Sequence, residues 1–109
     1  DYVKANADLV KRFMSASTKA VEAAEKDPKG AAQAILDANP KGGKLETLTQ
    51  GFELTIPLYR TAETKGKRPF QVTDANMTDS VNLMVEYGGL EAKAKDNPKA
   101  FYTNDYLPK

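Results

Sequence analysis

The strongest constraint on the fold is the spacing of apolar residues between Asn6 and Lys26. They recur at steps of three and four, with charged and polar residues between them: Leu9, Val10, Phe13, Met14, Ala20, Val21 and Ala24. Such steps place apolar side chains on one face of an α-helix, whose period is 3.6 residues. No segment of the sequence alternates apolar and polar residues as a half-buried strand does. The pattern therefore predicts an all-α chain, with Asn6 as the side-chain cap of the first helix.

Local boundary signals predict a second and a third helix. Asp27-Pro28 ends the first helix and starts the second, because aspartate caps free amides and proline at the first helical position loses only an unpartnered amide. Asn39-Pro40 ends the second helix, since the residue before a proline avoids helical geometry. Apolar residues three and four apart from Leu45 to Tyr59 predict the third helix, which Pro57 should bend or weaken.

The second half of the chain contains a loop, one more helix and a tail. Residues 63–73 are polar and basic and carry glycine and proline, which favours an irregular surface loop. Thr73 or Asp74 caps a fourth helix that ends at Gly88-Gly89, where glycine accepts a left-handed backbone. The tail from Leu90 to Lys109 contains one single-turn signal, and its aromatic rings are expected to pack back onto the body. The sequence thus predicts four main helices plus a C-terminal tail.

Composition argues against catalysis and against metal or nucleic-acid binding. Histidine and cysteine are both absent, which removes the commonest general base and the usual transition-metal ligands. The formal charge is +1, so no electrostatic reason exists to expect nucleic acid as a partner. Neighbouring acids such as Glu22 and Glu25 lie on a lysine-rich helix face. Paired catalytic carboxylates need one acid to be desolvated while its partner stays ionised, and this face does not offer that environment. We expect a chain that is not an enzyme, with no catalytic residue, no metal and no cofactor.

The basic loop Lys65-Gly66-Lys67-Arg68 has two interpretations. Its glycine and positive charges could grip a phosphate or sulfonate through backbone amides. A solvated surface loop is the more ordinary outcome for such a sequence, and it is the one we expect. At 109 residues the chain is long enough for one domain, residues 1–109. Because it begins at Asp1 and not at a methionine, we expect a processed product or a fragment of a longer protein.

Several motifs resemble one protein family in their order and spacing. Tyr2 to Phe13 is similar to the stretch "yv-k-x-n-P-d-l-v-k-r-f" of periplasmic substrate-binding proteins of ABC importers, with Ala7 in place of proline. Glu63-Thr64-Lys65-Gly66 resembles the "a-T-K-G" loop of the branch that binds nitrate, sulfonate, taurine and thiamine-pyrimidine precursors. Ser80 to Leu90 and Tyr102 to Pro108 resemble its "s-v-d-l-l-v-e-y-G-g-l" and "y-T-n-e-f-l-p" motifs. The chain is thus similar to the C-terminal segment of this family.

The resemblance implies a fold, a function and a location. In a full-length protein the segment would belong to a bilobal type II periplasmic-binding-protein α/β fold, returning to the first lobe and covering it with helices. The whole protein would capture a small solute (nitrate, sulfonate, taurine or a pyrimidine-like compound) and deliver it to an ABC transporter permease. It would be periplasmic, or lipid-anchored outside the cytoplasmic membrane.

The same resemblance points to two candidate ligand contacts. Many relatives carry a glycine-tryptophan pair after the "T-K-G" loop, where this chain has Phe70 and Gln71. If the loop touches a ligand, these two side chains are the expected ligand-binding residues; the alternative is that they simply pack the loop. Because most ligand contacts in such proteins come from strand-rich regions before this segment, the segment alone is not expected to bind tightly.

A second function remains open from the residues alone. Four helices with strong apolar faces also fit a freestanding helical protein-interaction domain whose exposed face binds a protein partner. Helix faces built to cover a sheet would be left exposed in an isolated fragment. We therefore expect that the fragment could also form a homodimer.

Overall fold

The computed structural model describes residues 2–109, and over this range it is all-α, with 69% of residues helical and no strand. Four helices are longer than a single turn, which confirms the predicted fold class. The α-helices are α1 (Tyr2–Ala5), α2 (Ala7–Lys26), α3 (Pro28–Ala38), α4 (Leu45–Thr55) and α5 (Asp74–Tyr87). Short 3₁₀ turns lie at Ile56–Leu58, Ala62–Thr64, Ala92–Asp96 and Pro98–Phe101.

Two of the predicted caps are confirmed and one is wrong. The Asp27 side chain accepts a hydrogen bond from the Gly30 amide at 2.9 Å, and Thr73 accepts one from the Asn76 amide at 3.2 Å. Asn6 does not cap α2 with its side chain. Because the unpredicted helix α1 ends just before it, its amide group instead donates to the Tyr2 carbonyl oxygen at 2.9 Å.

Proline ends the third main helix earlier than its apolar spacing predicts. The helix expected to reach Tyr59 stops as an α-helix at Thr55 and continues as the 3₁₀ turn Ile56–Leu58. Pro57 has no amide to donate to the carbonyl one α-helical turn back, so the tighter turn takes over. Tyr59 closes it by donating its amide to the Ile56 carbonyl oxygen at 3.1 Å.

The helices form two groups joined by the loop at residues 60–73. In the first group α3 packs against both α2 and α4; in the second, the two 3₁₀ turns of the tail pack along α5. The apolar residues that the described chain buries are few and none is large: Ala24, Ala32, Pro69 and Val81. The molecule therefore has a thin core for its length.

Global dimensions show the same openness. The radius of gyration is 16.8 Å, compared with about 13 Å for a compact domain of this length. The accessible surface is 8050 Å², whereas a compact monomer of this mass exposes about 5,900 Å². Large apolar side chains are at least half exposed on several elements: Tyr2, Phe13, Leu54, Leu58, Leu83, Met84, Tyr87 and Phe101.

Candidate functional site

The two residues singled out from the sequence, Phe70 and Gln71, lie side by side in the wall of one cleft. The cleft has a volume of about 490 Å³. Its walls come from α2, from the residues after α4 and from the loop: Val21, Tyr59, Pro69, Phe70, Gln71 and Val72. Two aromatic rings and one amide thus meet in an otherwise aliphatic recess, and sequence reasoning did not identify Tyr59 or Val21 as part of it.

A second cleft of similar size, about 490 Å³, lies next to the first. The two clefts share Val21 and Tyr59, so we treat them as one surface and call it the apolar trough. The second cleft is lined mainly by small residues of α2 and α3, together with a few larger side chains: Ala20, Val21, Ala23, Ala24, Gly30, Ala31, Ala34, Ile35, Phe52 and Tyr59. Because half of the lining residues are alanines, the cleft has room for a bulky apolar group from outside the described chain.

Phe70 has an unusual backbone conformation. Its φ angle is +69°, and it is the one non-glycine residue between 2 and 109 with a positive φ. For a bulky residue this left-handed geometry is strained, and such strain is concentrated at functional sites. The side chain is 44% exposed, so burial of the ring does not account for the strain. The structure therefore holds Phe70 at the cleft against its own backbone preference.

Two arginines tie the loop to the C-terminal half of α2. Arg68 donates to both carboxylate oxygens of Glu22, at 2.7 and 3.0 Å. Arg60 forms the same kind of bidentate pair with Glu25, one turn further along the helix, and also donates to the Lys67 carbonyl oxygen at 2.7 Å. Bidentate pairs of this kind fix geometry as well as charge.

These pairs bear on two roles considered from the sequence, acid-base catalysis and anion binding by the basic loop. The hydrogen bond from Arg68 lowers the pKa of Glu22, which keeps this carboxylate ionised, whereas a general acid needs a raised pKa. The guanidinium of Arg68, the strongest anion-binding group of the basic loop, already has a carboxylate partner. Neither acid-base chemistry nor a phosphate grip gains support from this geometry.

The C-terminal tail contacts the loop and the start of α5. The Asn104 side chain accepts from the Val72 amide at 3.2 Å and donates to the Val72 carbonyl oxygen at 2.7 Å. The Tyr102 hydroxyl donates to Asp74, and the Lys99 ammonium lies 2.8 Å from the same carboxylate. The hydrogen bonds from Lys99 and Tyr102 lower the pKa of Asp74. Asp74 is thus an anchor for the tail, while Thr73 is the helix cap.

Residues 2–109 contain no cluster of three or more potential metal-ligating side chains of the His, Cys, Asp or Glu type. Within the same range, no helix has the length and apolar character required to cross a membrane. Comparison with known proteins gave no match to a family model, to a curated protein or to a solved structure. The trough, the strained loop and the sequence motifs are therefore the features of this chain that bear on its function.

Proposed function

We propose that this chain is the C-terminal helical segment of a substrate-binding protein of an ABC importer, and that it supplies one wall of the solute site. The observation that carries the proposal is the cleft in which the strained Phe70 and its neighbour Gln71 face Tyr59. These are the residues that the family resemblance nominates for ligand contact. The proposal also takes over the family's setting, a periplasmic or lipid-anchored protein that delivers its solute to a permease.

The openness of the chain supports a role as a covering layer of a larger body. Its surface exceeds that of a compact monomer by roughly 2,100 Å², whereas a standard protein–protein interface buries about 800 Å² per partner. A helix with an apolar face is stable when that face is covered by another layer of structure. In the proposed protein that layer is the α/β first lobe, which would cover the part of the apolar trough between α2 and α3 and leave the Phe70–Gln71 cleft open to solute.

The chemistry of the cleft favours one solute class within the family. Tyr59 and Phe70 offer aromatic faces for stacking, and the Gln71 amide can donate and accept hydrogen bonds. The arginines on the charged side of the loop, Arg60 and Arg68, are both paired with glutamates. A flat pyrimidine-like ring therefore suits this wall better than nitrate, taurine or another sulfonate.

Calorimetry on the complete gene product tests this function. We expect it to bind a pyrimidine-like compound, and we expect Phe70→Ala to weaken binding by about 5- to 150-fold, since an aromatic–base stack contributes about 1–3 kcal/mol. Phe101→Ala is the matched control, because Phe101 is a half-exposed ring in a separate depression of the tail. The 109-residue chain alone should bind weakly or not at all, because it provides one wall.

Equal binding by the parent and by Phe70→Ala would refute the contact. Absence of binding to every solute of the family would refute the transport function. The same excess of apolar surface also suits the second candidate, a freestanding helical protein-interaction domain. A reading frame without α/β regions upstream of Asp1, combined with absence of solute binding, would favour that candidate.

A further inference from the structure

The loop segment that carries Phe70 and Gln71 is anchored on both sides, two residues before and two residues after Phe70. On one side, Arg68 donates two hydrogen bonds to Glu22 and a third, at 3.1 Å, to the Lys109 carbonyl oxygen. On the other side, the backbone of Val72 exchanges two hydrogen bonds with the Asn104 side chain. Both anchors come from parts of the chain that are remote in sequence.

These anchors explain how the strained backbone at Phe70 persists. A bulky residue in the left-handed region is disfavoured in a free loop, and it stays there when surrounding contacts over-determine its geometry. An asparagine side chain can pair with a backbone amide and a backbone carbonyl at once, as Asn104 does with Val72, which fixes both position and orientation. With residues 68 and 72 held, the segment between them has little freedom to relax.

The Glu22–Arg68 pair is a stronger restraint than the ion pair between Asp74 and Lys99. It is bidentate, and the two side chains are 30% and 38% exposed, compared with 57% and 71% for the single contact between Asp74 and Lys99. Partial burial reduces screening by salt, and the paired geometry restrains the guanidinium plane. The Glu22–Arg68 pair therefore restrains its loop more firmly than the exposed Asp74–Lys99 contact restrains the tail.

We infer that Glu22 and Asn104 are positioning residues for the Phe70–Gln71 wall: they hold Arg68 and Val72, and so keep the two cleft residues in place. Neither Glu22 nor Asn104 lines the cleft itself. Their role is to preorganise the side chains that do, as supporting contacts around a binding site generally act. The consequence for solute binding rests on the proposed function, whereas the consequence for the loop does not.

Hydrogen exchange of the complete gene product tests the positioning role. Glu22→Gln should speed exchange of the Val72 amide, which donates to the Asn104 side chain, about tenfold, since local opening is what the anchors oppose. Asn104→Ala removes this acceptor and gives the rate of the unprotected amide for comparison. Amides of α3 should keep their parent rates and report that the fold is intact. The matched controls are Glu53→Gln on α4 and Asn82→Ala on the exposed side of α5. Both controls should leave the Val72 amide at its parent rate.

The exchanged pair Glu22→Arg with Arg68→Glu separates positioning from a general structural role. It restores the ion pair with reversed polarity but not the hydrogen bond from Arg68 to the Lys109 carbonyl oxygen, so exchange of the Val72 amide should return most of the way to the parent rate. Unchanged exchange of this amide in Glu22→Gln would overturn the inference for the loop. Acceleration that extends equally to α3, or failure of the exchanged pair to restore protection, would also overturn it.

Solute binding provides the second arm. If the competent loop population falls to a tenth, the affinity for a pyrimidine-like compound should fall about tenfold in each single variant, and the exchanged pair should recover it. A parent protein that binds no solute contradicts the proposed function, while the exchange measurements still decide the positioning role. A parent that binds, with variants that keep its affinity although exchange shows their loop to be mostly open, would overturn the role of the anchors in binding.

Discussion

Substitution of the exposed Leu58 by alanine tests whether this part of the surface is covered by another lobe in a longer protein. Leu58, in the 3₁₀ turn after α4, is 79% exposed, so about a fifth of its side chain is buried within the chain. Full burial of a leucine contributes about 1.5–3 kcal/mol, so Leu58→Ala should lower the free energy of unfolding of the 109-residue chain by roughly 0.3–0.6 kcal/mol. If a further lobe covers this site in a longer protein, the same substitution should cost about 2–5 kcal/mol there.

Urea unfolding followed by far-UV circular dichroism gives both values, since a shift in midpoint at constant slope reports stability. Val81→Ala is the internal comparison, because Val81 is 4% exposed. It should cost about 1.5–3 kcal/mol in either protein, from about 0.8 kcal/mol per methyl plus the cavity. Equal costs for Leu58→Ala in the isolated chain and in the complete gene product would refute the covering role, as would a cost in the isolated chain that matches Val81→Ala.

Three further predictions follow from local features. Asp27→Ala should lower the free energy of unfolding by about 0.5–2 kcal/mol because it removes the cap of α3. Asn6→Ala should lower it by less, because Asn6 does not cap α2, and thermal unfolding of the two variants measures the difference. Gly51→Ala should stabilise exposed mid-α4 by about 0.5–1 kcal/mol, since nothing apart from its chain neighbours and the backbone of its own helix lies within 4 Å of the added methyl. Gly89→Ala should destabilise the chain because the φ of Gly89 is +74°; a stabilising Gly89→Ala would contradict the assigned turn. The hydrogen bond from Arg68 lowers the pKa of Glu22 below 4.5. The pair should therefore contribute stability above about pH 4.5, and this stability is lost as the pH falls through the lowered pKa. Glu22→Gln should abolish this pH-dependent change in the urea midpoint.

The fold class and most helix ends follow from short-range chemistry, and the sequence was sufficient for them. Asp27-Pro28 is one example, since the cap and the proline both act within a single turn. Pro57 was recognised as a disturbance, but the choice between a bent α-helix and a 3₁₀ turn depends on small differences in backbone geometry. Asn6 was misassigned because α1, a single turn with no strong pattern, offered it a nearer partner in the Tyr2 carbonyl oxygen.

The candidate site was less accessible to sequence reasoning. Phe70 and Gln71 were nominated through a family resemblance, and the structure places both in one cleft. Their partners were missed because the relevant contacts cross long stretches of chain, as between Glu22 and Arg68, which are 46 residues apart. The pairing of Asn104 with the Val72 backbone leaves no periodic or compositional mark. A weak signal did exist in the one-turn spacing of Glu22 and Glu25, which suits two cations from one loop.

The sequence separation of the loop anchors has a consequence for the order of folding. Contacts among α2, α3 and α4 connect neighbours along the chain and can form early, because closing short loops costs little entropy. The bonds from Arg68 to Glu22 and from Val72 to Asn104 span 46 and 32 residues, and a third joins Arg68 to the Lys109 carbonyl oxygen. We expect the cleft wall to assemble last, after residues 104–109 have been synthesised, so that a chain truncated before Asn104 would keep its helices and lose its cleft wall.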